Sequence, residues 1–252
     1  MTALLELDSL SKRFGQVLVA DRLSLDVPVG TTLGIVGPNG AGKTSLFAMV
    51  SGELRPDGGD IKLAGRSVLG LDTARRVRLG IGRTHQVPRP FTGMTVFENV
   101  LVAAHQGGGL RSGAATCGAL DVLERTGLAD QANTLAGRLG LLSRKRLEVA
   151  RALATGPDLL LLDEVAGGLT EPEVAQLVTL VREINASGVT IIWIEHVVRA
   201  LLSTVDRLVC LALGRLIADG DPIQVLGRAD VKELFLGTDS TVIDPLAADG
   251  GP

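Results

Sequence analysis

The stretch Gly37-Pro-Asn-Gly-Ala-Gly42-Lys43-Thr44 constrains the fold of this 252-residue chain more than any other. It matches G-x-x-x-x-G-K-[ST]. An apolar run, "TTLGIVG", precedes it and a helical pattern, "KTSLFAMVSG", follows. A phosphate loop needs that order. Its glycines let successive backbone N–H groups point into one concavity, and the following helix N-terminus adds its positive end. Lys43 is expected to reach the β- and γ-phosphates, and the Thr44 hydroxyl to ligate Mg²⁺. The candidate nucleotide-binding residues are therefore Gly37, Asn39, Gly40, Ala41, Gly42, Lys43, Thr44 and Ser45. The motif alone says nucleotide, not which nucleotide or for what work.

The rest of the chain supplies the matching architecture. "LLELDSLSKRF" and "RLSLDVPVG" alternate like antiparallel strands, and "GDIKLAGRSV" reads as another β-pair. From about 88 to 155 the pattern turns helical with Gly-rich breaks. There Thr95 and Glu98 form a capping box, "HQGGGLRSGAAT" is a flexible connector, and "CGALDVLERTG" is a short helix stopped by Gly127. From 159 the α/β alternation returns. "DLLLLDE", "VTIIWIEH" and "DRLVCLALG" read as buried strands. "TEPEVAQLVTLVREINASG" places Val174, Leu177, Val178, Val181 and Ile184 on one helical face behind a Thr170–Glu173 capping box.

The expected fold is α/β: a P-loop NTPase (RecA-like) core, an antiparallel β subdomain, and an α-helical subdomain inserted at about 88–155. One domain spans 1–238. The patternless tail, 239–252, is expected to be flexible.

Composition narrows the function. The apolar fraction of 46% supports a sizeable core, and with 2% aromatics that core must be Leu, Val, Ile and Ala. A net charge of −3 argues against broad nucleic-acid binding. Cys117 and Cys210 lack metal-ligand spacing and read as buried thiols in a reducing compartment. The N-terminus has no signal-peptide pattern, and no apolar run reaches the ~18 residues of a membrane span. Any membrane is therefore expected to be met through a partner.

The other half of a nucleotide site should be acidic and lie at strand ends, where ligands bind in parallel sheets. Asp163 and Glu164 follow four leucines. Two adjacent carboxylates there are costly without a cation. Asp163 suits Mg²⁺ held through water, and Glu164 suits polarising the attacking water. His196 ends "TIIWIEH" and should converge with them as a γ-phosphate contact. His85 and His105 have no such warrant.

At this point the chain resembles the nucleotide-binding subunits of ATP-binding cassette (ABC) transporters, from about residue 4 to 238. "GPNGAGKTS" resembles the Walker A loop and "LLLLDE" the Walker B strand, with Glu164 as the catalytic carboxylate. "RTHQ" resembles the Q-loop, with Gln86 joining the Mg²⁺ site to the helical lobe. "IEH" resembles the switch, with His196 as its histidine. "KRFGQ" puts Phe14 where the family stacks an aromatic on adenine; a core Phe is the alternative.

"RTHQVPRPFTGMTVFENVLVAAHQ", "RKRLEVARALATGPDLLLLDE", "IEHVV" and "ELFLG" are closest to the branched-chain amino-acid uptake branch, though urea, amide and aromatic-acid branches share them. The resemblance implies ATP and Mg²⁺ as cofactors. It also implies a homo- or heterodimer of such subunits under two integral-membrane permeases. An extracytoplasmic solute-binding protein would act indirectly, and nucleic acid would have no part. The location implied is peripheral, on the cytoplasmic face of the inner membrane.

The signature motif departs from the family. Its Ser position holds Gly140, its Gly position Leu142 and its Gln position Ser143. Gly140 has no hydroxyl, and Leu142 would crowd a close backbone approach. Val165 replaces a usual Pro, and Thr170 a usual Asp or Asn. Two readings stay open: a tolerated branch variant, or one half of an asymmetric pair. A soluble ABC protein or a nucleotide-gated regulator with weak hydrolysis are alternative functions. Arg144, Lys145 and Arg146 stand at the positive end of a helix dipole. Arg144 and Lys145 either face a triphosphate or acidic partner or splay into solvent.

Overall fold

The structure is a computed structural model that describes residues 2–236. The tail expectation lies outside the described residues. One sheet is antiparallel: β1 (Ala3–Phe14), β2 (Val17–Pro28), β4 (Gly58–Leu63) and β5 (Arg66–Ser67), in the order β2-β1-β4-β5. The other contains β3 (Thr32–Val36), β6 (Ile81–Arg83), β7 (Leu159–Asp163), β8 (Thr190–Ile194), β9 (Arg207–Ala212) and β10 (Arg215–Gly220). Its order is β10-β9-β3-β8-β7-β6, parallel except for the antiparallel edge strand β10.

Helices α1 (Lys43–Ser51) and α2 (Thr73–Arg78) belong to the first part. The helices α3 (Val96–Val102), α4 (Ser112–Arg125) and α5 (Leu141–Leu153) form the insertion between β6 and β7. The helices α6 (Glu171–Ala186), α7 (Val198–Leu202), α8 (Pro222–Gly227) and α9 (Ala229–Leu236) follow. Among the described residues, no helix is long and apolar enough to cross a membrane.

Strand alternation explains the layering. Side chains of successive strand residues point to opposite faces. Leu159, Leu161, Ile192, Ile194, Val209 and Leu211 join the core that α1 and the antiparallel sheet cover. Leu160, Leu162, Ile191, Trp193, Leu208 and Cys210 join the core under α5 through α9. Both faces of the central strands are thus dry, which is why β7 and β8 read as continuous apolar runs. This core is aliphatic as expected, with Trp193 and Phe47 fully buried exceptions.

Both expected capping boxes form, at Thr95–Glu98 and Thr170–Glu173. Two local expectations need correction. The connector after His105 is shorter than expected, because α4 begins at Ser112 rather than Cys117. Ala114 and Ala115 are strong helix formers, and Ala115 is buried. Cys117 is exposed, not buried. The buried stripe of α4 is Ala115, Ala119, Val122 and Leu123, and Cys117 falls on the opposite face.

Candidate functional site

The phosphate-type loop connects β3 to α1. Its conformation is forced by contact with backbone. A Cβ on Gly37 would lie 2.0 Å from the Leu211 carbonyl oxygen, and one on Gly42 would lie 2.2 Å from that of Val19. Gly42 also has φ +102°, in the left-handed region that glycine adopts without steric cost. Behind the loop, Leu46, Phe47, Met49 and Val50 anchor α1 in the core. The free N–H groups of the first turn of α1 therefore face a fixed point.

Lys43 is buried and donates to the carbonyls of Gly37 (2.6 Å) and Pro38 (3.1 Å). Burial holds its pKa below the usual lysine range, against the opposing charges of Glu164 and Asp163. The loop, Val17, Val19, Gln86 and Glu164 line a cleft of about 370 Å³.

At the end of β7, Asp163 is 1% exposed and pairs with Arg83 at 3.3 Å. Burial raises the Asp163 pKa while Arg83 opposes the rise. Its Oδ1 is buried without a donor, a condition that a hydrated cation relieves. Asp163 and the hydroxyl of Thr44 thus suit Mg²⁺. Gln86 spends its amide elsewhere: it donates to Glu164 Oε2.

Glu164 itself turns the chain, with φ +49°. Its N–H donates to Ile194 O at 2.9 Å, and its Oε1 lies 2.9 Å from His196 Nε2. A carboxylate so held, at the cleft edge beside the phosphate loop, is placed to orient or deprotonate a water.

The structure brings Asn39 through Ser45, Gln86, Glu164 and His196 to one place, with Gly37 reached through Lys43 and Asp163 buried at the end of β7. It does not bring Phe14, Gly140, Leu142 or Ser143 into that cleft. Phe14 is not a core residue. It is half exposed, pairs across the hairpin with the cleft residue Val17, and has Lys12 Nζ 5.5 Å from its ring centroid. Gly140 is the N-cap of α5, with no side-chain cap.

The basic run divides. Arg144 bonds Gly137 O and Arg146 bonds Gln176, but Lys145 is buried, which corrects both the solvent and the phosphate expectations for it. Two further residues escaped the sequence reading. Arg83 partners Asp163, and the buried Glu195 accepts from the backbone N–H groups of Ala166 and His196. Burial raises the Glu195 pKa, against those hydrogen bonds. The signal for Lys145 was present: Lys145, Glu148, Val149 and Ala152 have i, i+3, i+4, i+7 spacing, and all four are buried.

Comparison with known proteins adds the lineage. The ABC transporter family model matches residues 20–167. The high-affinity branched-chain amino acid transport ATP-binding protein LivG of Escherichia coli (strain K12) is 38% identical, covering 93% of this chain and 98% of that protein. BraF of Pseudomonas aeruginosa, of the same description, is 36% identical over the same shares. The ADP conformation of an ATP-binding cassette of an ABC transporter matches with a TM-score of 0.85 at 28% identity. That match covers 94% of this chain and 100% of the other. Sequence, fold and site agree: this chain belongs to the ABC transporter family, as one of its ATP-binding ATPase cassettes.

Proposed function

We propose that this chain is the ATP-hydrolysing subunit of an importer for branched-chain or related amino acids, working through partner permease subunits. The observation that carries the proposal is that LivG and BraF share more than a third of its residues across nearly its whole length. The site supports the ATPase half. In this reading the loop from Gly37 to Ser45 cradles the triphosphate, and Lys43 leaves the loop carbonyls for its β- and γ-oxygens. Glu164 activates the water, while Gln86 and His196 hold its carboxylate and sense the γ-phosphate. Phe14, exposed beside Val17, stacks on adenine. Mg²⁺ would be held by Thr44, Asp163 and Gln86, and it would supply charge neutralisation of the triphosphate.

Proteins of this family work as dimers with membrane permeases. The start of α5, with Gly140, Leu142 and Ser143, then faces the nucleotide of a second subunit. We place the assembly on the cytoplasmic face of the cell membrane, with a solute-binding protein outside. The departures at Gly140 and Leu142 favour a second, different nucleotide-binding subunit over a homodimer.

The test is reconstitution of the full chain with its permeases and binding protein in liposomes. Leucine, isoleucine or valine is expected to raise ATP turnover and to accumulate inside. ATP turnover that responds to none of them, but to another solute, would replace the cargo. Nucleotide binding without turnover in any assembly would favour the regulatory reading.

A further inference from the structure

Lys145 lies in the second turn of α5 and is 5% exposed. Its Nζ donates to the carbonyl oxygen of Gln86 at 3.1 Å and to that of Glu164 at 3.0 Å. Those are the two residues whose side chains meet at the cleft. They come from separate segments, after β6 and after β7, 59 and 19 residues from Lys145 in sequence.

A buried ammonium is expensive unless its donors and charge are used. Here two donors go to carbonyls. Burial pushes the pKa of Lys145 down, and the charges of Glu195 and Glu164 pull it back. An apolar side chain would fill the space at lower desolvation cost, so packing alone does not account for a lysine. What it grips does. Glu164 sits in the left-handed region, where a side chain is strained. Its N–H is fixed by Ile194 O, and its carbonyl has Gly167 N–H at a long 3.4 Å besides the lysine.

We propose that Lys145 is a positioning residue of the ATPase reaction. It is a strut from α5 to the Gln86 and Glu164 peptides, and it aims the Glu164 carboxylate only while α5 is docked. The helix whose first residues face the opposite subunit thereby reports its position to this chain's own catalytic residue. The proposal deepens the ATPase reading and rests on it.

The experiment compares wild type, Lys145→Met, Lys145→Arg and Glu164→Gln as full-length chains, in the assembly where wild type turns over. Lys145→Met removes the donors at similar volume. It is expected to lower kcat at least about tenfold, with ATP affinity and KM within about twofold. Lys145→Arg restores much of the loss. In the nucleotide-free protein, the Glu164 amide, which donates to Ile194 O, exchanges hydrogen faster in Lys145→Met while the core strands do not.

Four results would overturn the strut. They are kcat within about twofold of wild type, an equal loss in ATP affinity, no rescue by Arg, or unchanged exchange at the Glu164 amide. If Glu164→Gln loses turnover but Lys145→Met does not, the strut alone fails. If both keep it, the assignment of Glu164 fails first. Should Lys145→Met not fold, Lys145→Gln carries the same comparison, because its amide is too short to span both carbonyls.

Discussion

The helices α1 and α5 both begin after a glycine, and neither glycine supplies a side-chain cap. Their surroundings differ. Gly42 has φ +102°, and a Cβ there would meet the Val19 carbonyl oxygen at 2.2 Å. Gly140 has φ −67° and ψ 171°, with nothing within 4 Å of an added Cβ. Backbone contact forces glycine at the first position, and nothing in the fold requires it at the second. A serine would fit there, supply a cap and restore a hydroxyl. The departure from the family signature is therefore not a consequence of folding. The proposed asymmetric pair accounts for it through what α5 would meet.

The largest effect should come from the half of the site that is intact. Glu164→Gln keeps shape and removes the base. We expect turnover to fall by about 10²–10⁴-fold with ATP binding retained, read by phosphate release and by calorimetric titration. Equal losses in both would break the assignment.

Gly42→Ala probes the forced glycine. It should abolish measurable nucleotide binding and destabilise the chain by more than about 2 kcal/mol in urea unfolding. A mild effect would mean that the loop relaxes and that the contrast with Gly140 is weaker than drawn.

The double change Gly140→Ser with Leu142→Gly sharpens the other side. If the signature is the weak partner, turnover of the chain alone should rise about tenfold, a ~1.4 kcal/mol gain in transition-state binding. Turnover unchanged from wild type would mark the variant signature as tolerated. Gly140→Ser by itself should add only a few tenths of a kcal/mol to stability.

A separate effect, on stability and its pH dependence, concerns Asp163. Burial raises its folded pKa above the unfolded value, so the folded chain binds the proton more tightly. Its ionised form is a destabilising charge, fully expressed above the raised pKa and relieved as pH falls through it. Asp163→Asn should therefore raise the melting temperature of the nucleotide-free chain near pH 8 by about 2–4 °C while abolishing turnover. The gap should narrow as pH falls through the raised pKa. Arg83 also pairs with Glu53, at 3.1 Å, so losing the Asp163 charge does not leave it without a counter-charge. A lower melting temperature at pH 8 would show that the Arg83 pair outweighs the desolvation.

Much of the site was legible because its chemistry is local. The phosphate loop is a contiguous motif, and Asp163, Glu164 and His196 end apolar runs that read as parallel strands. The residues around them were not. Arg83 and Glu195 look like ordinary strand-end charges until β6, β7 and β8 are laid side by side. Lys145 read as a cation that faces a triphosphate or acidic partner or splays into solvent, and only its spacing with the buried face of α5 hinted otherwise. Cys117 went wrong because a lone thiol carries no periodicity until the start of α4 is known.

The sequence by itself determined that the chain makes a phosphate loop, a buried parallel sheet and a capped helical insertion. Those features depend on residues close together in the chain, where turn chemistry and side-chain period decide. Only the tertiary structure decided that Gln86, Glu164 and Lys145, from three separated segments, share one hydrogen-bonded junction. Hydrogen bonds to backbone carbonyls leave no trace in side-chain pattern, because every residue carries the same carbonyl.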